Sequence, residues 1–219
     1  MRTAVAIGVA TGAYGVSFGV LAVAAGLSVA QTCAMSLFVF TGASQFAAVS
    51  VISAGGSMAA ALAPALLLAA RNAVYGLSLV PILRDRLPTR LLESQLIIDE
   101  STAMARSRSH LGPDAARHAF LATGISVFVL WNLGTLIGAL AGGGIANPKT
   151  LGLDAMFPAA FLALLAPQLR RPGAPVAAVS GALVALLLVP FVPAGVPILA
   201  AVVGVVPGLA AAHRSRSAS

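Results

Sequence analysis

Charge is what this chain has least of: 9% of its 219 residues are charged and 59% are hydrophobic, against roughly 25% charged in an ordinary soluble domain. Between Thr3 and Ala70 there is no charged residue at all. A water-soluble domain is excluded, and with a mean hydropathy of +0.98 the chain reads as an integral membrane protein. Lipid gives backbone groups no hydrogen-bond partners, so only helices or a closed barrel can span it. Barrel strands alternate polar and apolar residues, which these long apolar runs do not, and the fold class expected is an all-α polytopic membrane protein. Cysteine is nearly absent too. The single Cys33 can form no disulfide within the chain and no paired-cysteine metal site; it reads as a small buried thiol. No HExxH, GxSxG or phosphate-binding glycine loop occurs, so no catalytic residue, cofactor or metal is expected.

What is present is a series of apolar runs near the roughly 20 residues that cross the hydrocarbon. Seven transmembrane helices are predicted, near residues 4 to 25, 28 to 53, 57 to 82, 119 to 141, 152 to 169, 174 to 190 and 196 to 212. Ala22-Val23-Ala24 has the form of a signal-peptide cleavage site, but one arginine is a short n-region and the apolar sequence runs past the cut. Residues 84 to 118 form the one substantial polar stretch. Leu91, Leu92, Leu96, Ile97 and Met104 recur in it at helical spacing, which predicts an amphipathic helix on or near the membrane surface. It carries Arg84, Arg86, Arg90, Arg106, Arg108 and Arg117, and the positive-inside rule makes it cytoplasmic. Counting onward, Arg170, Arg171, Arg214 and Arg216 fall on the same face, which puts the C-terminus in the cytoplasm and the chain in the inner membrane. Three spans before the loop place the N-terminus outside, where Arg2 sits against the rule.

Residues 15 to 22 read GVSFGVLA and residues 134 to 141 read GTLIGALA. Further pairs follow in the same order, and two readings stand: a duplication, or Gly-xxx-Gly packing in a composition rich in Gly and Ala. As a duplication, with the topology above, halves 3 to 83 and 119 to 190 form an inverted repeat of three plus three spans, as secondary transporters often do, with one helix added. The second predicted span contains FTGASQFAAVS (40 to 50), whose Thr41, Gly42, Ser44 and Gln45 either break the helix or serve small-residue packing. Its counterpart is Leu165-Ala166-Pro167-Gln168. Arg71 falls at the middle of the third span, where an arginine costs at least ~2.5 kcal/mol and must find water or a partner. It reads as a fixed charge for an anionic substrate group, as a structural ion pair with an acid such as Asp154, or as a snorkelling residue. Asp99 and Glu100 lie beside the cytoplasmic face and Asp154 opens the fifth span; these are the ion-coupling candidates, although an acid at a helix start needs no further role.

FGVLAVAAGLS (18 to 28), FTGASQFAAVS, ARNAVYGLSL (70 to 79), IDESTAMA (98 to 105), WNLGTLIGALAG (131 to 142) and LGLDAMFPAAFLALLAPQLR (151 to 170) together resemble the AzlC-like branched-chain amino acid permeases. The resemblance implies export of branched-chain or similar apolar amino acids, driven by an ion gradient. It also implies a partner, a small membrane subunit of the AzlD type. Two positions depart from the family pattern: Ala69 stands where Asn is frequent, and Asn72 where His often follows the arginine, so no histidine proton relay can operate beside Arg71.

The expectation is a secondary transporter, with a non-transporting membrane scaffold or assembly subunit as the alternative. The substrate-binding residues expected are Thr41, Gly42, Ser44, Gln45, Arg71, Asn72 and Gln168, with Ser44 and Gln45 orienting the amino group.

Overall fold

The computed structural model describes residues 1 to 83, 86 to 143, 159, 162 and 165 to 217. Regular secondary structure among the described residues is all helical, and four helical stretches are long and apolar enough to cross a membrane: Arg2–Ala24, Met58–Ile82, Pro113–Gly142 and Val196–Ser215. We number the helices α1 (Arg2–Ala24), α2 (Val29–Val39), α3 (Gly42–Ser53), α4 (Met58–Leu79), α5 (Leu87–Ser94), α6 (Asp99–Arg108), α7 (Pro113–Gly142), α8 (Ala174–Leu188), α9 (Val196–Ala200) and α10 (Val205–Ser217). Single 3-10 turns extend α4 through Ile82 and join α9 to α10.

The centre of the fold is the pair α1 and α7, which touch backbone to backbone through glycines. A methyl group added at Gly12 would lie 2.9 Å from the Leu130 carbonyl oxygen, and one at Gly15 would lie 2.6 Å from that of Trp131. Gly19 sits on the Thr135 carbonyl, Gly134 on that of Gly12 and Gly138 on that of Val16. Small residues allow this approach, and in lipid such close packing replaces the hydrophobic effect as the force between helices.

The contacts advance in step along both chains, from Gly8 beside Ser126 to Val20 beside Gly142, so α1 and α7 run parallel. An inverted repeat requires them to run in opposite senses, and that expectation is corrected here. The register is reciprocal: Gly15 on Trp131 is mirrored by Gly134 on Gly12, and Gly19 on Thr135 by Gly138 on Val16. The same offset aligns GVSFGVLA with GTLIGALA. The pair therefore has the geometry of equivalent helices about an axis along the bundle, as in parallel repeats.

The second predicted span does not cross. Ser28 opens α2 with a capping box, its hydroxyl accepting from the Gln31 amide at 3.2 Å while the Gln31 side chain accepts from Ser28 N–H at 2.8 Å. The helix stops at Phe40, whose φ of 22° is the one positive value among described non-glycine residues. Beyond it α3 turns back beside α2. Gln45 donates from Nε2 to the Met35 carbonyl at 3.1 Å, and Met35 packs against the cluster of Ala48, Val51 and Ala61. A straight helix rises 1.5 Å per residue and would hold these groups about 15 to 20 Å apart. At 11 and 12 residues, each arm reaches about half of the ~30 Å hydrocarbon. The turn Gly55-Gly56 and the Ser57 cap, which accepts from Ala60 N–H at 3.1 Å, then send α4 back along α3.

A second re-entry comes from the opposite end. α5 stays beside the start of α7, where Glu93 is buried and paired with Arg117, while Leu87, Leu91 and Leu92 face outward. The surface amphipathic helix expected over 84 to 118 is thus α5 alone. The segment 95 to 98 then climbs into the bundle: Leu96 packs on Gly124 and Ile98 joins the core cluster of Val127 and Trp131. From there α6 returns antiparallel to α7, and Ala105 ends against Phe120. Gln95 links the two re-entries by donating to the Leu37 carbonyl at 2.9 Å.

The helix α8 packs through Gly181 on the 3-10 turn at Gly204, and Gly208 of α10 packs on Ala177. The fifth predicted span, apart from residues 159, 162 and 165 to 169, and Asp154 with it, lie outside the described residues. Leucines and valines of α4 and α8, such as Leu66, Leu77 and Leu186, point outward, as a lipid-facing surface requires.

Candidate functional site

The two re-entries place two helix starts in the middle of the bundle. At α3 the amides of Gly42, Ala43 and Ser44 precede the first intrahelical bond, which Gln45 N–H makes to the Thr41 carbonyl at 3.1 Å, and no side chain among the described residues caps them. At α6 the start carries its own acids, Asp99 and Glu100. A helix start bears about half a positive charge, so the first is an open anion-attracting end and the second is already compensated.

Between them is a cavity of about 310 Å³. Phe40, Phe46, Ile98, Val127 and Trp131 supply apolar wall; Thr41, Gly42, Ala43, Arg71, Asn72, Asp99, Glu100, Gln168 and Arg171 supply polar wall; Thr11, Tyr14 and Tyr75 also line it. The aromatic wall is rigid, because Phe46 and Trp131 meet edge to face at 6.3 Å and Phe18 stacks on Trp131 at 6.2 Å. Gly42 lets the indole approach the start of α3: a Cβ there would come within 3.0 Å of the Trp131 ring.

Arg71 pairs with Asp99, Nη1 to Oδ2 at 2.8 Å, and both side chains are about two-fifths exposed, at 39% and 41%. The pair joins the middle of α4 to the start of α6 across the cavity. Several polar atoms in the wall are buried without a hydrogen-bond partner among the described residues, namely Arg71 Nε, Thr41 Oγ1 and Trp131 Nε1.

The expected site residues separate into two groups. Thr41, Gly42, Arg71, Asn72, Asp99, Glu100 and Gln168 come together around the cavity. Ser44 and Gln45 are fully buried and are not among the lining residues. The Gln45 amide fastens α3 to α2. Gln45→Ala should therefore lower thermal stability, by about 1 to 3 kcal/mol for a lost hydrogen bond; melting curves of the detergent-solubilised protein measure the loss. Near Pro167, Ala166 and Pro167 form a turn and Gln168–Arg170 a single 3-10 turn; the expected interruption of the fifth span falls mostly on residues outside the described ones. Tyr75, Trp131 and Arg171 were not expected. They sit in apolar or generic surroundings in the sequence, and the first two gain a role only because the re-entries bring Asp99 and Thr41 to their level.

These features define a polytopic helical membrane protein with half-helices meeting at a central polar cavity, the architecture in which transporters place their sites. The chain belongs to the AzlC family, whose model matches residues 6 to 145; this is the branched-chain amino acid permease family. It is similar to an uncharacterized membrane protein of Helicobacter pylori, 28% identical over 160 residues that cover 72% of this chain and 68% of the relative. It is also similar to the inner membrane protein YgaZ of Escherichia coli K12, 27% identical over 165 residues that cover 71% of this chain and 66% of that protein. No solved structure matches.

Proposed function

We propose that this protein is a secondary-active transporter that exports branched-chain or similar apolar amino acids across the inner membrane, as the large subunit of a two-component system with a small AzlD-type membrane subunit. The observation that carries the reading is the cavity, which is lined both by charged groups of the two signs and by packed aromatic rings. The substrate carboxylate sits at the open start of α3, on the amides near Gly42, with Arg71 beside it; helix starts suit anions for this reason. Thr41, Asn72 and Gln168 complete the polar shell. The aliphatic side chain lies against Phe46, Val127 and Trp131. Because one methylene is worth only ~1 to 3 kcal/mol, discrimination among leucine, isoleucine, valine and methionine is modest.

Arg2 supports the orientation. With α2 and α3 forming a hairpin, residues 2 and 113 share one end of the bundle, so Arg2 joins the loop arginines on the cytoplasmic face and the positive-inside rule has one exception fewer. The test is efflux: cells loaded with leucine-containing dipeptides and lacking this gene should accumulate internal leucine, and restoring the gene together with that of the small subunit should lower it at least threefold. Unchanged internal leucine contradicts the reading.

A further inference from the structure

We infer that Asp99 is the ligand of the substrate's ammonium group, and that the Arg71–Asp99 ion pair opens to receive a zwitterion. This rests on the amino acid reading above and deepens it, since that reading needs only a site for the carboxylate.

Polar groups in the cavity wall include donors and acids. Arg71 Nε on α4 and Trp131 Nε1 on α7 are buried donors without a partner among the described residues, Trp131 being only 7% exposed, and Gly42 and Ala43 of the α3 start line the same cavity. On the α6 side are the carboxylates of Asp99 and Glu100. Asp99 offers one oxygen to Arg71, which leaves acceptor capacity in the same group, since a carboxylate has about four lone-pair sites.

A carboxylate alone would leave Asp99 facing a second anion. An amine alone would do the same to Arg71. A zwitterion replaces one charge-assisted contact with two, carboxylate to guanidinium and ammonium to Asp99, without changing the net charge of the site. Because Arg71 lies on a full-length helix and Asp99 at the tip of a re-entry, filling the pair also bears on the seating of that tip. Glu100 is left free for ion coupling.

Trp131 is the chain's sole tryptophan and lines the cavity, so its fluorescence reports occupancy. The purified full chain with its small subunit is titrated with L-leucine, with 4-methylpentanoate, which lacks the amino group, and with L-leucinamide, which lacks the carboxylate. Expected are a saturable response to leucine and at least tenfold weaker binding of the other two. Asp99→Asn should weaken leucine at least tenfold and bring it level with 4-methylpentanoate, while Asp99→Glu restores part of the difference. If the unaltered protein binds leucinamide or 4-methylpentanoate as well as leucine, or if Asp99→Asn keeps the original ratio of leucine to 4-methylpentanoate, Asp99 is not the ammonium ligand although the amino acid reading stands. If no apolar amino acid binds at all, both fall.

Discussion

Arg71→Ala should abolish leucine export, at least a hundredfold, while the protein remains in the membrane near its normal level. An arginine at mid-span is retained against an insertion cost of at least ~2.5 kcal/mol, so its removal does not hinder insertion. What it removes is the cation that pairs with the acid at the start of α6 and lines the same cavity as the open start of α3. A charge-assisted hydrogen bond to the carboxylate is worth roughly 1.5 to 3 kcal/mol, or about 10- to 150-fold in affinity. Asp99 would also lose its partner and repel an incoming carboxylate, which adds to the loss. Arg71→Lys keeps the charge without the planar fork and should recover a minor part of the rate. Efflux from dipeptide-loaded cells, normalised to membrane protein, is the measurement; wild-type efflux from Arg71→Ala would remove the site.

The second large effect concerns assembly. Gly138→Val should deplete the folded protein from membranes and abolish its monodisperse peak in size-exclusion chromatography. The added side chain meets the Val16 carbonyl of α1, a rigid helix backbone, and the clash exceeds the ~1 to 3 kcal/mol of ordinary overpacking. Gly143→Ala is the control. Among the described residues its Cβ would lie no closer than 3.6 Å to a neighbour, and yield should be unchanged.

Composition alone was enough for the fold class, because a helical membrane protein is what so little charge permits. Helix ends were legible where they carry chemistry: Ser28 and Ser57 cap, and Gly26 and Gly55 turn with φ of 97° and 81°. The break near Gly42 was legible as well, and its consequence was not. A run of apolar residues from 28 to 53 looks the same whether it crosses or doubles back, since both arms are apolar, and only the pairing of Gln45 with Met35 decides between them. A crossing there would reverse the first half and turn a parallel pair of glycine helices into an apparent inverted repeat. The misplaced Arg2 was the signal that could have exposed it.

The partner of Arg71 was hidden for a related reason. Asp99 stands in the polar stretch, and nothing in sequence spacing carries a loop residue to the middle of a bundle. The hint was Ile97-Ile98, two bulky apolar residues directly before the acids, which bury at 7% exposure each and draw the segment inward.

Everything about the site follows from α2 and α3 forming a hairpin, and side-selective labelling tests that directly. In a Cys33→Ser background, single cysteines are placed at Ala24 and Ala54, flanking the hairpin, and at Thr3 and His110 at the other end, and intact cells are treated with a membrane-impermeant maleimide. The account requires Ala24→Cys and Ala54→Cys to label together from outside, with Thr3→Cys and His110→Cys protected until the membrane is opened. Labelling of Ala24→Cys and Ala54→Cys from opposite sides would show a crossing helix between them and contradict the account.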